Sequence, residues 1–420
     1  MSLFNKAVIV KYLPLALLLI TINSHGLHTL KLGSTFFWWI IQFIVLLFFW
    51  IVKNTYTPRV HQNKLLFLRL YLGYVLISFV RGLFIASTYW DWKGLVSNTM
   101  CLLIPIAAFA LGSIYLLQHI IKHYLFYTAP LFLVFCFFIG KDEFGFYLAP
   151  FSFLLLFFPL VSNKWKLILL SVSLFVIFAD FGARSNVLKF IVPFLLSLII
   201  YFRNIFVLRL FQFLRLLLLV SPFVFLILAA KFNFNIFNPN KDKHKPIIAN
   251  KTDANGQKIE EDLAADTRTF IYREVIFTAN KYNSWFFGRS PARGNVSETF
   301  GYLDVNRRNE RLWNEVSILN YFTWIGLVGV VLIFIIFIQA TNLAINHSNN
   351  IVLKIIGIFI SFRWAYAWVE DINNFYIQYI YLWLFIGVCF SEPLRKMNNK
   401  EIKKWVVDIF SLKKNVKAAA

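Results

Sequence analysis

Apolar runs long enough to cross a membrane fill most of this 420-residue chain, about nine before residue 232 and three after residue 315. They leave little freedom in the fold. Inside a bilayer, a run of some 20 apolar residues can satisfy its backbone N–H and C=O groups within the segment only as a helix. The runs therefore predict an all-α polytopic membrane protein. Composition agrees: 59% of the residues are hydrophobic, only 15% are charged, and the mean hydropathy is +0.66, whereas a soluble domain carries about 25% charged residues. The 49 phenylalanines suit a lipid-facing surface. A net charge of +22 invites a nucleic-acid reading, but Lys and Arg on the cytoplasmic side of membrane spans account for it, and no nucleic-acid partner is expected.

Helices are expected near residues 7–23, 35–53, 65–86, 96–118, 123–140, 145–162, 166–180, 186–202, 209–231, 316–341, 350–370 and 373–391, about 12 transmembrane helices in all. The first run has no small-x-small site after it and reads as a retained span. With the N-terminus inside, the cytoplasmic segments hold Lys6, Lys53, Arg59, Lys64, Lys122, Lys164, Lys166, Arg203, Arg209 and the lysines of the tail. The short outer loops then hold only Lys31, Lys93, Lys141 and Arg184. This asymmetry follows the positive-inside rule and puts residues 232–315 outside, in the periplasm of a two-membrane bacterium. Four regions result: 1–231 with spans one to nine, 232–315 as one large periplasmic loop, 316–391 with the last three spans, and 392–420 as a basic cytoplasmic tail. Within the tail, Ile402, Trp405, Val406 and Ile409 share one helical face, predicted to lie on the inner leaflet. Cys101, Cys136 and Cys389 all sit in apolar runs and read as packing residues.

The large loop changes texture midway. Residues 232–262 are rich in Asn and Lys without apolar periodicity, so an irregular cover is expected there. From Asp266 or Thr267, which can cap it, a helix is predicted through Phe270, Ile271 and Val275, with Arg268, Tyr272 and Arg273 exposed. A turn follows at Gly288-Arg289-Ser290-Pro291-Ala292-Arg293-Gly294, where glycines let backbone N–H groups approach a ligand. The stretch Asn306–Glu315 runs straight into the next span; if helical, it sets Arg308, Arg311 and Glu315 on one face. A carboxylate next to two guanidiniums at a membrane mouth is a candidate general base beside an anion clamp, or a plain Arg311–Glu315 ion pair. Arg81, Arg184 and Arg363 lie near outer span ends, where ionisable groups face a cavity or a partner. The alternatives are a head that reaches the membrane surface for Arg81 and an ion pair with Glu370 or Asp371 for Arg363.

These residues resemble the O-antigen polymerase and ligase superfamily of bacterial membrane glycosyltransferases, over roughly Phe181 to Gly329. Three elements carry the likeness. They are the turn Ala183-Arg184-Ser185, the arginine helix at Arg268 and Arg273 followed by the Gly288–Gly294 turn, and Gly326-Leu327-Val328-Gly329 placed behind Glu315-Val316. Ligases of the family carry a histidine and then a polar residue where this chain has Glu315 and Val316, which shifts the resemblance toward the polymerases. The likeness implies a GT-C-like fold in the inner membrane and an undecaprenyl-pyrophosphate-linked glycan as donor. The acceptor would be a second lipid-linked glycan for a polymerase or lipid A–core for a ligase. It also implies inverting transfer without a metal or cofactor, with Glu315 and Arg184 as catalytic residues. Arg268, Arg273, Arg289, Arg308, Arg311 and Arg363 would bind substrate, membrane lipid would surround the chain, and a chain-length regulator is an expected partner. A transferase moving the glycan onto protein Ser or Thr stays open. A lipid-linked glycan flippase fits less well, because the cations gather in one loop instead of lining many spans.

Overall fold

The computed structural model describes residues 6–26, 33–56, 65–179, 184–202, 204, 207–232, 248–252, 258–262, 266, 268–297, 309–370 and 373–411. The chain is largely helical. In order it forms α1 (Lys6–Gly26), α2 (Thr35–Tyr56), α3 (Leu66–Ile85) and α4 (Tyr89–Leu102), a 3-10 stretch (Ile104–Gly112), α5 (Ile114–His123), a π turn (Tyr124–Thr128) and α6 (Ala129–Phe135). There follow α7 (Phe144–Tyr147), α8 (Ala149–Leu154) with a 3-10 extension (Leu155–Leu160), α9 (Asn163–Ala179), α10 (Arg184–Leu198) and α11 (Leu208–Phe232). The loop region holds β1 (Ile248–Thr252), β2 (Lys258–Asp262), α12 (Thr269–Lys281), β3 (Asn295–Val296) and β4 (Glu310–Arg311). The chain closes with α13 (Ser317–Asn346), α14 (Ile351–Tyr366), α15 (Ile377–Phe390), α16 (Glu392–Lys396) and α17 (Asn399–Ile409).

Among the described residues, five helical segments are long and apolar enough to cross a membrane: Thr35–Val52, Leu66–Ile85, Tyr89–Ala110, Leu208–Ala229 and Ser317–Asn346. The molecule is therefore a multi-pass membrane protein by length and composition. Boundaries differ from expectation where local chemistry intervenes. The helix expected at 96–118 begins at Tyr89, because Thr88 and Asp91 form a capping box ahead of it. It gives way at Leu102 to the 3-10 stretch carrying Pro105, whose ring cannot continue an α-helix. Ser113 then caps α5 by accepting from the Leu116 N–H at 3.1 Å, so the following helical run spans 114–135 instead of 123–140.

Burial sorts the helices. All fourteen residues of α15 are buried, so this helix, apolar on every side, is the interior of the bundle and not a lipid-facing rod. Gly387 on α15 brings it against the 3-10 stretch: a Cβ there would stand 2.6 Å from the Ala108 carbonyl oxygen. By contrast, only 17% of Leu208–Ala229 is buried, which places α11 at the periphery.

Two expectations about the termini of the membrane region are corrected. The apolar face of α17 does not lie free for a leaflet. Ile402, Trp405, Val406 and Ile409 are buried on the protein's own helices, with Trp405 edge-on to Phe157 and its carbonyl accepting from Gln118 Nε2 at 3.0 Å. The stretch expected to be irregular contains an antiparallel ladder, β1 with β2, pairing Ile248 with Asp262 through Thr252 with Lys258. The sequence between them includes Asn255-Gly256, a hairpin signal that needs no apolar periodicity.

The longest helix is broken. Gly326 in α13 has φ 65° and ψ −169°, a conformation that interrupts the hydrogen-bond ladder and that L-residues with a Cβ avoid. The loop after α12 fills the break. Thr323 and Trp324 carbonyls accept from the N–H groups of Arg289 (2.6 Å) and Ser290 (3.1 Å), and the Ile325 carbonyl accepts from the Tyr74 hydroxyl (2.8 Å). On the other side, Leu327 and Val328 N–H groups donate to the carbonyls of Trp285 (2.8 Å) and Phe286 (3.1 Å). These five backbone groups thus find partners from outside the helix, the condition for non-helical backbone within an apolar segment. Gly288 (φ 67°) completes the fit, since a Cβ there would lie 2.6 Å from the Gly326 nitrogen.

Candidate functional site

Helix α12 starts where Asp266 predicts, its Oδ1 accepting from the N–H groups of Arg268 (3.1 Å) and Thr269 (2.9 Å). Ile271, Val275, Thr278 and Ala279 form its buried face. Of the three side chains expected to be exposed, only Arg273 is, and it forms no ion pair among the described residues. Tyr272 instead turns inward and donates its hydroxyl to the Trp368 carbonyl, tying α12 to the end of α14. Burial pushes the Tyr272 phenol up from its ordinary range.

Residues 309–316 ahead of α13 are not helical. Glu310 and Arg311 form a two-residue strand against Asn295 and Val296, so Arg311 and Glu315 do not share the expected helical face, and Arg308 lies outside the described residues. The physical reason is the partner strand: pairing with β3 holds these residues extended. Gly294 permits that approach, because a Cβ on it would collide with the Arg311 carbonyl. The ion pair forms without a helix, with Arg311 Nη2 3.4 Å from Glu315 Oε1. Glu315 Oε2 lies 2.5 Å from Arg268 Nη1, and Arg268 Nη2 lies 3.6 Å from Glu370 Oε2. Two guanidiniums and two carboxylates thus alternate at the entry to α13, with Glu315 still 41% exposed. Burial pushes the Arg311 guanidinium below its ordinary range, while the Glu315 and Glu274 carboxylates act the other way.

Alternation along β4 sends its other side chain to a second place. Glu310, buried, receives Arg289 Nη2 at 2.9 Å. Arg289 also donates through Nη1 to the Gly294 carbonyl at 2.6 Å and lies 3.9 Å from the centre of the Tyr282 ring. Arg81, on α3, donates through Nη2 to the carbonyls of Phe287 (2.6 Å) and Gly288 (3.2 Å). Arg293 lies 3.8 Å from Asp91. All of these but Asp91 and Gly294, with Ile85, Asn283 and Ser284, line a cavity of about 770 Å³, a size typical of ligand pockets.

The chain matches no known protein family, no curated protein and no solved structure. Its chemistry therefore has to be read from the geometry.

Of the expected site residues, the structure brings Glu315, Arg268 and Arg311 together and sets Arg289 in the neighbouring pocket. Arg273 stands apart on the exposed side of α12. Arg363 is 1% exposed within the bundle, 5.7 Å from the ring centres of Phe153 and Tyr366. It borders an internal cavity with Ser317, Tyr321, Tyr379 and Trp383. Glu370, expected near Arg363 as an acid partner, reaches Arg268. Arg184 opens α10, and its side chain lies outside the described residues, as do Arg307, Arg308 and Asp371. Sequence reading missed the buried position of Glu310, while Arg81 does face a cavity. Glu310 carried a usable signal, an acid next to Arg311 with the opposite strand facing, but the pairing with β3 had to be known first.

Proposed function

We propose that this protein is a periplasmic glycosyltransferase of the inner membrane. It would transfer a glycan from undecaprenyl pyrophosphate with inversion, most simply in polymerising O-antigen or a related surface polysaccharide. In this reading the chain has about 12 spans of GT-C-like layout, cytoplasmic termini and a periplasmic loop at 232–315. The observation that carries the proposal is the Glu315 carboxylate held between Arg268 and Arg311 at the mouth of α13. An acceptor hydroxyl attacks the anomeric carbon of the donor, the bond from that carbon to the pyrophosphate oxygen breaks, and Glu315 takes the hydroxyl proton. Both Glu315 oxygens are engaged by guanidiniums before substrate arrives. The incoming pyrophosphate competes for Arg268 and Arg311, which frees the carboxylate and stabilises the charge that develops on the leaving group. Arg184, Arg273, Arg289, Arg308 and Arg363 complete the proposed binding set. Donor, acceptor and surrounding lipid are the partners of this reading, together with a chain-length regulator.

The test is a gel profile of surface glycan from a deletion strain carrying the wild-type gene or Glu315→Ala. Collapse of the ladder to core plus one repeat supports the polymerase. Loss of every capped band with lipid-linked polymer accumulating supports a ligase acting on lipid A–core. An unchanged ladder in the deletion strain sinks both and leaves protein O-glycosylation, read by glycoprotein staining, or flipping of the lipid-linked glycan.

A further inference from the structure

The cavity beside Arg81 differs from the Glu315 cluster in its charge balance. Around Glu315, two guanidiniums face two carboxylates. In the cavity, Arg81, Arg289 and Arg293 share the wall with one carboxylate, Glu310, which is taken up by Arg289. Asp91 stands behind Arg293 and serves mainly the start of α4, accepting from Ser87 N, Ser87 Oγ and Thr88 N at 3.1–3.2 Å. Arg81 has two backbone carbonyls as partners and no carboxylate among the described residues. Such a wall, with more guanidinium than carboxylate, favours an anion that can take several charge-assisted hydrogen bonds.

Position says where the anion comes from. Arg81 lies four residues before the end of α3, about 6 Å below that end at the helical rise per residue. Its neighbours on the helix, Val80 and Phe84, are exposed and apolar, Phe84 at 86%. Across the cavity, Trp285, Phe286 and Phe287 are exposed on the loop that is pinned to the break in α13, nine residues past Ser317. The cavity therefore sets guanidiniums beside a rim of side chains suited to lipid, near the end of an apolar helix long enough to cross a membrane. A soluble anion needs no such rim.

We infer that this cavity is an anion site separate from the Glu315 cluster, entered sideways from the membrane by the phosphate head of a lipid, with Arg81 and Arg293 as its phosphate ligands. Its use for a second lipid-linked substrate rests on the transferase reading, because a polymerase joins two lipid-borne glycans and needs two phosphate-holding places. The two sites back onto each other through β4, which gives Glu310 to one and Arg311 to the other.

The experiment is binding of farnesyl diphosphate, a short lipid diphosphate, to the purified full-length protein in micelles, read by native mass spectrometry. Inorganic pyrophosphate and farnesol serve as separate probes. The expected result is a bound farnesyl diphosphate that Arg81→Gln and Arg293→Gln each weaken by about tenfold or more, while Arg81→Lys retains it and Lys400→Gln has no effect. Trp285 fluorescence and the thermal midpoint establish that the loop stays docked in each variant. Binding insensitive to both glutamine variants, or no binding, overturns the inference. Equal binding of pyrophosphate overturns the lipid origin, and equal binding of farnesol overturns the phosphate contact. No transfer step is involved, so a bound lipid without transfer counts against the transferase reading alone. Normal transfer with no Arg81-dependent lipid counts against this inference alone.

Discussion

Two ion pairs sit on either side of one short strand, and they differ in what surrounds them. Glu310 and Arg289 are buried at 7% and 9% exposure, with Arg289 further held by the Gly294 carbonyl and the Tyr282 ring. Glu315 and Arg311, one step along and on the other side, leave the carboxylate 41% exposed and shared with Arg268. A buried pair cannot lose one member cheaply, because the remaining charge is stranded away from water. A pair open to solvent contributes little to stability and can exchange partners. The first is thus a structural tie that keeps the 282–294 loop in place, and the second is the exchangeable pair that a reaction can use.

The largest effect expected is on the buried side. Arg289→Ala removes the guanidinium 2.9 Å from buried Glu310 and should cost about 3–5 kcal/mol of stability, read as a lower thermal midpoint and faster proteolysis of the loop. A change below about 1 kcal/mol would erase the distinction between the pairs. On the open side, Glu315→Ala and Arg268→Gln should reduce transfer by about 10²–10³-fold with a midpoint close to wild type, measured as polymer formed from lipid-linked donor in vesicles. Instability equal to that of Arg289→Ala would reassign Glu315 to structure. Gly326→Ala places a Cβ at φ 65° against the Phe286 carbonyl. It should cost about 1–3 kcal/mol and raise hydrogen exchange at Arg289 and Ser290, whose N–H groups depend on the break. The smallest effect belongs to Arg273→Gln, within about 0.5 kcal/mol in stability, since Arg273 is exposed and unpaired among the described residues. A substantial drop in its midpoint would show α12 to be held by more than its buried face.

Much of the helical layout was legible because the signals are local. Apolar runs marked the helices, Asp266 marked the start of α12, and the spacing of Ile402, Trp405, Val406 and Ile409 marked the face of α17. The errors came where a distant segment decides. The face of α17 could be seen, but not that Phe157 and Gln118 would cover it. Asn306–Glu315 could be helical by its residues alone, yet Asn295 and Val296 draw Glu310 and Arg311 into a strand. Gly326-Leu327-Val328-Gly329 was noticed as a motif, but a glycine in an apolar run does not announce that Trp285–Ser290 will complete its hydrogen bonds from outside the helix.

The sequence by itself determined that this is a helical, multi-pass membrane protein with an arginine-rich segment between its apolar runs, since the need to satisfy backbone groups in lipid acts on each run separately. Only the tertiary structure decided which arginines meet which acids. Arg268 reaches Glu315, 47 positions further along the chain, and Arg81 reaches Phe287, 206 positions further along. Those encounters depend on how the helices pack and where α13 breaks, and no local propensity encodes the direction from which a neighbour arrives.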